Sequence, residues 1–217
     1  MIVIDLKKLQ ETDPLKRVVE KQSGQEEFSP MNPPEAYAPP AMEPIPYEEL
    51  PPFLQQLVDE HNRCREEVEA FEQVLNRLKE VGLRPDREVD QGVQRFFRFL
   101  DENIVPHNIK EEKRLFPPLQ ERLLKAGEHS KGPAATTAVD MLEDDHIKLM
   151  QLAAVTFNFL ALAARLPDPT SQALTLDAAI EQGRAMVELL RLHMFREENV
   201  VFPLAVKYVQ AELLAKA

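Results

Sequence analysis

The sequence contains little cysteine and no long apolar run, and each shortage excludes a class of protein. Cys64 is the one cysteine among 217 residues, so no internal disulfide can form, which fits a reducing cytoplasm. No stretch approaches the roughly 20 apolar residues that a membrane-spanning helix needs. The opening MIVIDLKKL has its lysines after rather than before its apolar residues, which is not typical of a signal peptide. We therefore expect a cytoplasmic protein with no membrane partner.

Positive charge is also scarce. The 26 Lys and Arg residues stand against 37 Asp and Glu residues, which gives a formal net charge of -11. Such a surface repels the phosphates of nucleic acids, and no basic stripe with interleaved aromatic residues is present. An anionic membrane surface is disfavoured for the same reason, and nucleic acid is not expected as a partner.

Proline, by contrast, is abundant at the beginning of the chain, where ten of the 18 prolines lie in the first 52 residues. Because proline removes a backbone donor and fixes φ, residues 1–50 are predicted to form a proline-rich N-terminal arm. Two alternatives stay open: a partly disordered tail, or an extended segment that packs along the domain or a second subunit, with MIVIDL as a short strand. The apolar residues Phe28, Tyr37, Ile45 and Tyr47 leave open a protein partner or a homodimer formed through the arm.

From residue 51 onward, apolar residues recur at intervals of three and four, which is typical of helices that bury one face. The pattern predicts helices at about 52–81, 134–166 and 171–214, and a further helix between the first two that carries a stripe from Val93 to Leu119. Kinks are expected in that second helix near Pro106, Pro117 and Pro118. Four long amphipathic helices with short connections predict an all-α, antiparallel up-down four-helix bundle over residues 51–217.

Six polar residues occupy stripe positions that the periodicity assigns to the core. They are His61, His107, Glu111, His146, His193 and Glu197. Burying an unpaired carboxylate costs several kcal/mol, so such placement needs a reason. A His and a Glu four residues apart share one helix face, and this spacing occurs in both HNIKEEKRLFP (107–117) and HMFREENVVFP (193–203). The two remaining histidines precede these segments by 46 and 47 residues, which indicates an internal duplication of a helix pair.

The duplication should bring four imidazoles and two carboxylates together around a pseudo-twofold axis, and cations suit such a cluster. Nitrogen and oxygen donors without thiolate favour iron, manganese or zinc, and six ligands exceed the four of a closed zinc site. The economical arrangement is two irons bridged by Glu111 and Glu197, with two histidines on each iron. The alternative is a buried hydrogen-bond network without metal.

In this pattern the sequence resembles the hemerythrin-like proteins with the His-His-Glu (HHE) cation-binding domain, over roughly residues 52–214. The motif H, H-x3-E, H, H-x3-E is carried by the six residues above, and Phe-Pro follows each H-x3-E. The resemblance implies a non-haem di-iron centre with an oxo or hydroxo bridge, in proteins that bind dioxygen or respond to oxygen, iron or nitric oxide. The sequence departs from the invertebrate oxygen carriers at Met150, where those have a further histidine, and this disfavours simple reversible oxygen carriage.

Residues next to the motif are expected to have structural or solvent-facing roles. Glu112 and Glu198 lie five residues after their histidines, so solvated charge is expected, with replacement of the neighbouring Glu as ligand the alternative. Four acidic residues precede the histidines of the first and third helices, and solvated helix surface is expected for them, with orientation of the imidazoles the alternative. These are Asp59, Glu60, Asp144 and Asp145.

Cys64 is expected to pack in the core, because its repeat counterpart is Leu149. His129 lies in a loop with glycines nearby and is expected to be solvated. Four phenylalanines are assigned to the core rather than to a gas pocket. These are Phe71, Phe116, Phe157 and Phe202.

A histidine-rich site with few carboxylates favours ligand binding over high-valent oxygenase chemistry. The first functional hypothesis is therefore a di-iron protein that binds or senses dioxygen, nitric oxide, peroxide or iron. The alternatives are a di-iron peroxidase or oxidase that acts on peroxide or nitric oxide, and an interaction module in which metal braces the bundle while the arm engages a partner. The sequence favours binding or sensing over an enzyme without deciding between them.

Overall fold

Four helices make up the bundle in the computed structural model, which describes residues 37, 40, 42–131 and 135–209. Helix α1 is Pro52–Val81, α2 covers 87–126, α3 is Ala138–Ala163 and α4 covers 169–208. No strand occurs in these ranges, so the predicted all-α bundle is confirmed. The third and fourth helices are shorter than predicted, and of their predicted ranges residues 134 and 210–214 lie outside the described part. The predicted strand MIVIDL and Phe28 of the arm also lie outside it.

Local sequence signals set the helix ends. The Asp86 carboxylate accepts from the amides of Glu88 and Val89 at the start of α2, and Asp168 caps α4 in the same way. Thr137 and Asp140 form a reciprocal capping box at the start of α3.

Two glycines with positive φ follow the first two helices: Gly82 at 64° and Gly127 at 74°. These caps and stops allow tight connections between antiparallel neighbours.

Three π-helical turns interrupt the long helices, and each ends two residues before a proline. They are Leu100–Ile104 and Glu111–Leu115 in α2, and Glu197–Val201 in α4. In every case the proline is the sixth residue after the turn begins: Pro106, Pro117 and Pro203. A proline ring clashes with the carbonyl four residues back, and a wider turn moves that carbonyl away. The prolines of α2 are thus accommodated by π turns, and the helix continues through them.

The predicted stripes form the core with one exception. The stripe of α1 is buried throughout, and so are Phe71, Phe116 and Phe202. The assignment of Phe157 to the core is wrong, because its side chain is 55% exposed and Thr156 occupies the buried position. Before α1, Met42 and Ile45 pack against the apolar cluster around Phe53, so contacts with the bundle begin before residue 51.

Two glycines allow helices to approach closely. A Cβ atom at Gly92 of α2 would lie 2.3 Å from Cγ2 of Val74, and one at Gly183 of α4 would lie 2.9 Å from Cδ2 of Leu75. Because glycine has no Cβ, α2 and α4 can each pack closely against α1 at these positions.

Helix α3 is the one helix of the described ranges that is long and apolar enough to cross a membrane by length and composition. It also carries His146 into the interior of the bundle. Only 28% of its most apolar stretch is buried, so much of its apolar surface faces outward.

Candidate metal centre

The fold brings all six sequence-predicted residues to one level of the bundle. All are buried, with Glu111 and Glu197 at 0% exposure and none of the histidines above 7%. They form two overlapping groups, and within each group the candidate ligand atoms lie within 4.8 Å of one another. One group contains His61 and His107, the other contains His146 and His193, and both contain Glu111 and Glu197.

Each histidine pair presents two ring nitrogens to one point. Nε2 of His61 lies 3.2 Å from Nε2 of His107, and the same atoms of His146 and His193 are also 3.2 Å apart. At metal–nitrogen distances of about 2.1 Å, this spacing suits neighbouring coordination positions on one ion. The repeat therefore forms two equivalent half-sites.

The two glutamates lie between the half-sites. Glu111 Oε2 is 3.5 Å from Nε2 of both His107 and His146. Glu197 Oε2 is 2.9 Å from Nε2 of His61, and its Oε1 is 3.1 Å from Nε2 of His193. All four carboxylate oxygens are buried and accept no well-aligned hydrogen bond. Buried carboxylates that accept no well-aligned hydrogen bond, each placed between two imidazoles, fit ligands that bridge two cations.

Burial and close contact with other charged groups shift the pKa values of both glutamates. Burial, and then the charge of Glu197, raise the pKa of Glu111 above its usual range. Burial opposes the ionisation of Glu197 as well, but His193 and His61 outweigh it and lower the pKa of Glu197.

Two of the imidazoles hold their protons tightly. Burial alone would lower the pKa of His61, yet the carboxylates of Glu197 and Glu198 raise it to about 9. The pKa of His193 is raised to about 10 against the effect of burial, through Glu197 and Asp145. Positive charge is thus favoured where the histidines meet, and metal ions would replace these protons.

A ring of four outer carboxylates orients the histidines, and each helix provides one for the next. Glu60 of α1 lies 2.8 Å from Nδ1 of His107 in α2, and Glu112 of α2 lies 2.8 Å from Nδ1 of His146 in α3.

Asp145 of α3 and Glu198 of α4 complete this carboxylate ring. Asp145 lies 3.7 Å from Nδ1 of His193, and Glu198 lies 2.8 Å from Nδ1 of His61. A carboxylate at Nδ1 fixes the tautomer that leaves Nε2 free to bind a metal.

Three members of the carboxylate ring are paired in turn with a cation. Arg65 lies 2.6 Å from Glu198, Arg196 lies 2.6 Å from Asp145, and Lys110 pairs with Glu60. Glu112 is the exception: within the described ranges no lysine or arginine lies within ion-pair distance of it. Its side chain is 46% exposed.

The internal repeat shows which residue stands where a cation partner of Glu112 would be expected. His61 corresponds to His146, so Arg65 corresponds to Met150. The Met150 side chain is 44% exposed and lines a surface groove with His146 and Glu112.

The prediction that Glu112 and Glu198 are simply solvated is wrong. Both follow the first residue of a π turn, and a wider turn rotates successive residues by smaller angles than the α-helix assumed for the prediction. The repeated Glu-Glu pair was the available signal. Of the acidic residues before His61 and His146, Glu60 and Asp145 orient imidazoles, which corrects the expectation of solvated surface. Asp59 instead accepts from the Tyr47 hydroxyl at the surface, and Asp144 is exposed.

A cavity of about 130 Å³ borders one half-site. Its lining includes His61, His107 and His193, together with the apolar side chains of Phe99, Ile104, Leu190 and Met194. Cys64 is buried in its wall, where burial raises the pKa of the thiol to about 12. Both histidines of the first half-site line this cavity, whereas of the second half-site His193 does and His146 does not.

His129 lies apart from the metal groups. It is half-buried rather than fully solvated, and its Nδ1 lies 2.7 Å from the carbonyl oxygen of Ser130. This hydrogen bond to a neighbouring backbone carbonyl accounts for the position of the His129 ring.

Comparison with known proteins places these observations in a family. Residues 53–205 match the model of the hemerythrin HHE cation binding domain. The iron-sulfur cluster repair protein YtfE of Citrobacter koseri is 26% identical over 151 residues, which cover 69% of this chain and 62% of that protein. Its counterpart in Salmonella typhimurium is 27% identical over 147 residues, 67% of this chain and 60% of that protein. The chain thus spans about three-fifths of the length of these relatives. No solved structure shows a significant match.

Proposed function

The chain belongs to the hemerythrin HHE cation-binding domain family, and from this premise we propose that it is a non-haem di-iron protein that binds or senses dioxygen, nitric oxide, peroxide or iron. The observation that carries the proposal is the pair of buried carboxylates that accept no well-aligned hydrogen bond, each lying between histidines of both half-sites. Two irons held there, with an oxo or hydroxo bridge, would supply redox-active positions for a small ligand.

The residues of the chain divide this task. His61 and His107 would hold one iron, His146 and His193 the other, and Glu111 with Glu197 would bridge them. The carboxylate ring hydrogen-bonds Nδ1 of His61, His107 and His146 and places Asp145 3.7 Å from Nδ1 of His193, which directs each Nε2 inward. Two phenylalanines exclude bulk water, because Phe202 stacks near His61 and Phe116 near His146.

The cavity supports ligand binding at the His61–His107 half-site. Its volume of about 130 Å³ is sufficient for a diatomic molecule or peroxide. The Cys64 thiol in its wall is protonated at neutral pH, so it adds no charge that would repel a polarisable neutral ligand.

The first experiment measures metal content by plasma mass spectrometry on untagged protein, together with an absorption spectrum in air. We expect about two irons per chain and near-ultraviolet charge-transfer bands from an oxo-bridged pair. His107→Ala and His193→Ala should each reduce the iron content. Absence of iron after anaerobic reconstitution would overturn the proposal and leave the metal-braced or metal-free interaction module.

A cavity-filling variant tests the ligand site. Cys64→Leu adds volume next to His61, and we expect slower and weaker binding of azide or nitric oxide with unchanged iron content. Leu149→Met is the matched control, since Leu149 is the repeat counterpart of Cys64 and does not line the cavity. Equal ligand binding in both variants would show that ligands reach the irons by another route.

A second candidate function is suggested by the name of the relatives, which are iron-sulfur cluster repair proteins. On this proposal the chain would give up iron to a damaged cluster. Transfer of iron from the loaded chain to a cluster-depleted ferredoxin, faster than from free iron, would support it. Turnover of peroxide or nitric oxide by the diferrous protein would instead support the peroxidase or oxidase alternative.

A further inference from the structure

Helix α3 exposes a row of apolar side chains along its outer face. The row, here called the α3 seam, consists of Ile147, Met150, Ala154, Phe157 and Ala161. Ile147 and Phe157 are 57% and 55% exposed, and Ile109 of α2 adds a further apolar side chain at 41% beside the seam. Single exposed apolar residues are ordinary, but a contiguous row is typical of an interaction surface.

The spacing of the α3 seam is that of a helix that packs against another helix. Its residues follow one another at intervals of three, four, three and four, the repeat of a coiled-coil core. The seam extends for about 21 Å from Ile147 to Ala161 at 1.5 Å per residue. In an antiparallel pair of α3 helices, Met150 would face Ala154 of the copy, so that a large side chain meets a small one.

Charge at the two ends of the seam favours the same orientation. Glu143 and Asp144 are exposed at its beginning, and Glu112, which has no lysine or arginine partner in the described ranges, adds a further negative charge. Arg165 is exposed one turn after Ala161 at its end. An antiparallel copy brings Arg165 beside the acidic end of its partner, and a parallel copy would bring acid beside acid.

The internal repeat makes the α1–α4 face the counterpart of the α2–α3 face, and the two differ in charge. In the groove between α1 and α4, Arg65 pairs with Glu198 and keeps the surface polar. In the groove between α2 and α3, Met150 stands in place of Arg65, and Glu112 is left without a cation in the described ranges. We propose that the α2–α3 face is the interface between two copies of this chain, with the α3 helices antiparallel.

The interface would make the two half-sites unequal. His146 and Glu112 line the groove beside Met150, and a second copy covers that groove. The cavity at His61 and His107 has its lining on α1, α2 and α4 and stays open. Dimer formation would thus shield the His146 side of the centre from water while leaving ligand access through the cavity at His61 and His107, and it does not depend on bound iron.

A lipid surface is the other apolar environment that could cover the seam. The acidic groups at its beginning and the net charge of -11 oppose binding to anionic lipid. Binding of the full-length chain to neutral phosphatidylcholine vesicles, with a monomer in solution, would overturn the proposal in favour of a membrane surface.

Sedimentation velocity of the full chain over a wide concentration range tests the proposal. We expect a species of about twice 24.8 kDa. Ile147→Glu should give the monomer, and Phe195→Glu should leave the dimer intact, because Phe195 is 60% exposed but lies on the α1–α4 groove. Matching circular dichroism and melting temperatures would show that both variants fold. A monomeric wild-type chain, or a dimer that Ile147→Glu does not affect, would refute the interface.

A charge exchange tests the orientation. Glu143→Arg and Arg165→Glu should each weaken the dimer roughly tenfold or more, because each places like charges together across the interface. The double variant restores opposite charges and should recover the dimer. Failure of the double variant to recover it would exclude the antiparallel arrangement.

Discussion

Replacing Glu111 by glutamine should stabilise the protein without metal while abolishing the stabilisation that metal provides. In the absence of cations, the Glu111 carboxylate is fully buried near Glu197, and burial raises its pKa. The folded protein therefore either buries an additional negative charge or takes up a proton that the unfolded chain does not hold. Glutamine has nearly the same shape and avoids both costs.

The size of the effect is bounded by the cost of that proton. Each pH unit above the ordinary carboxyl pKa of 4.5 adds about 1.36 kcal/mol to the cost of protonation, so the limit at pH 7 is about 3.4 kcal/mol. We expect about 1–3 kcal/mol. Because the folded pKa is raised, the penalty is absent below the unfolded pKa and grows as pH increases, so variant and wild type should converge near pH 4.

The assay is urea unfolding of protein stripped of metal with a chelator, repeated after iron loading. Glu121→Gln is the matched control, since Glu121 lies on the same helix but is 61% exposed and belongs neither to the metal groups nor to the carboxylate ring, and its free energy of unfolding should stay at the wild-type value. Iron should stabilise the wild type and the control but not Glu111→Gln. A metal-free Glu111→Gln protein less stable than wild type at pH 7 would refute the reasoning, since the carboxylate would then contribute to folding without a cation.

Three further predictions test the surroundings of the centre and the helix packing. Glu60→Gln should lower iron affinity roughly 10- to 100-fold by calorimetry, because its carboxylate orients a histidine, whereas Asp59→Asn, at the surface, should leave it unchanged. Cys64 should react with iodoacetamide at pH 8 roughly a thousandfold more slowly in the folded than in the unfolded chain, because a pKa of about 12 leaves little thiolate; equal rates would contradict its burial. Gly92→Ala should destabilise the wild type by about 1–3 kcal/mol in urea unfolding, through its clash with Val74, but should be neutral or stabilising when Val74 is also alanine.

Sequence periodicity predicts the helices because burial follows the three-and-four spacing along each stripe. It fails at Phe157, because the buried face of α3 is shifted by one residue there and the smaller Thr156 faces the core. It also fails at the prolines: a pattern based on 3.6 residues per turn contains no signal for a π turn, although each turn begins six residues before a proline.

The convergence of the six inner residues could be predicted, whereas the carboxylate ring around them could not. A buried glutamate four residues from a buried histidine is costly without a cation, so Glu111 and Glu197 stand out in the sequence. Glu60 and Glu198 look like ordinary helix-surface acids, because each contacts a histidine on a neighbouring helix. Such contacts depend on how the helices are rotated against each other, which a single sequence does not specify.

The repeat is symmetric in the residues placed to bind metal and asymmetric immediately outside them. Three residues after the histidine, α1 has Cys64 where α3 has Leu149, and the cavity lies on the cysteine side. One residue further, α1 has Arg65 where α3 has Met150, and the exposed apolar groove lies on the methionine side. Since the inner residues of the two half-sites are equivalent, we expect any functional difference between the half-sites to arise from these outer residues. One half-site would therefore serve small ligands and the other would be covered by protein, a division of roles that duplication of the helix pair alone would not have produced.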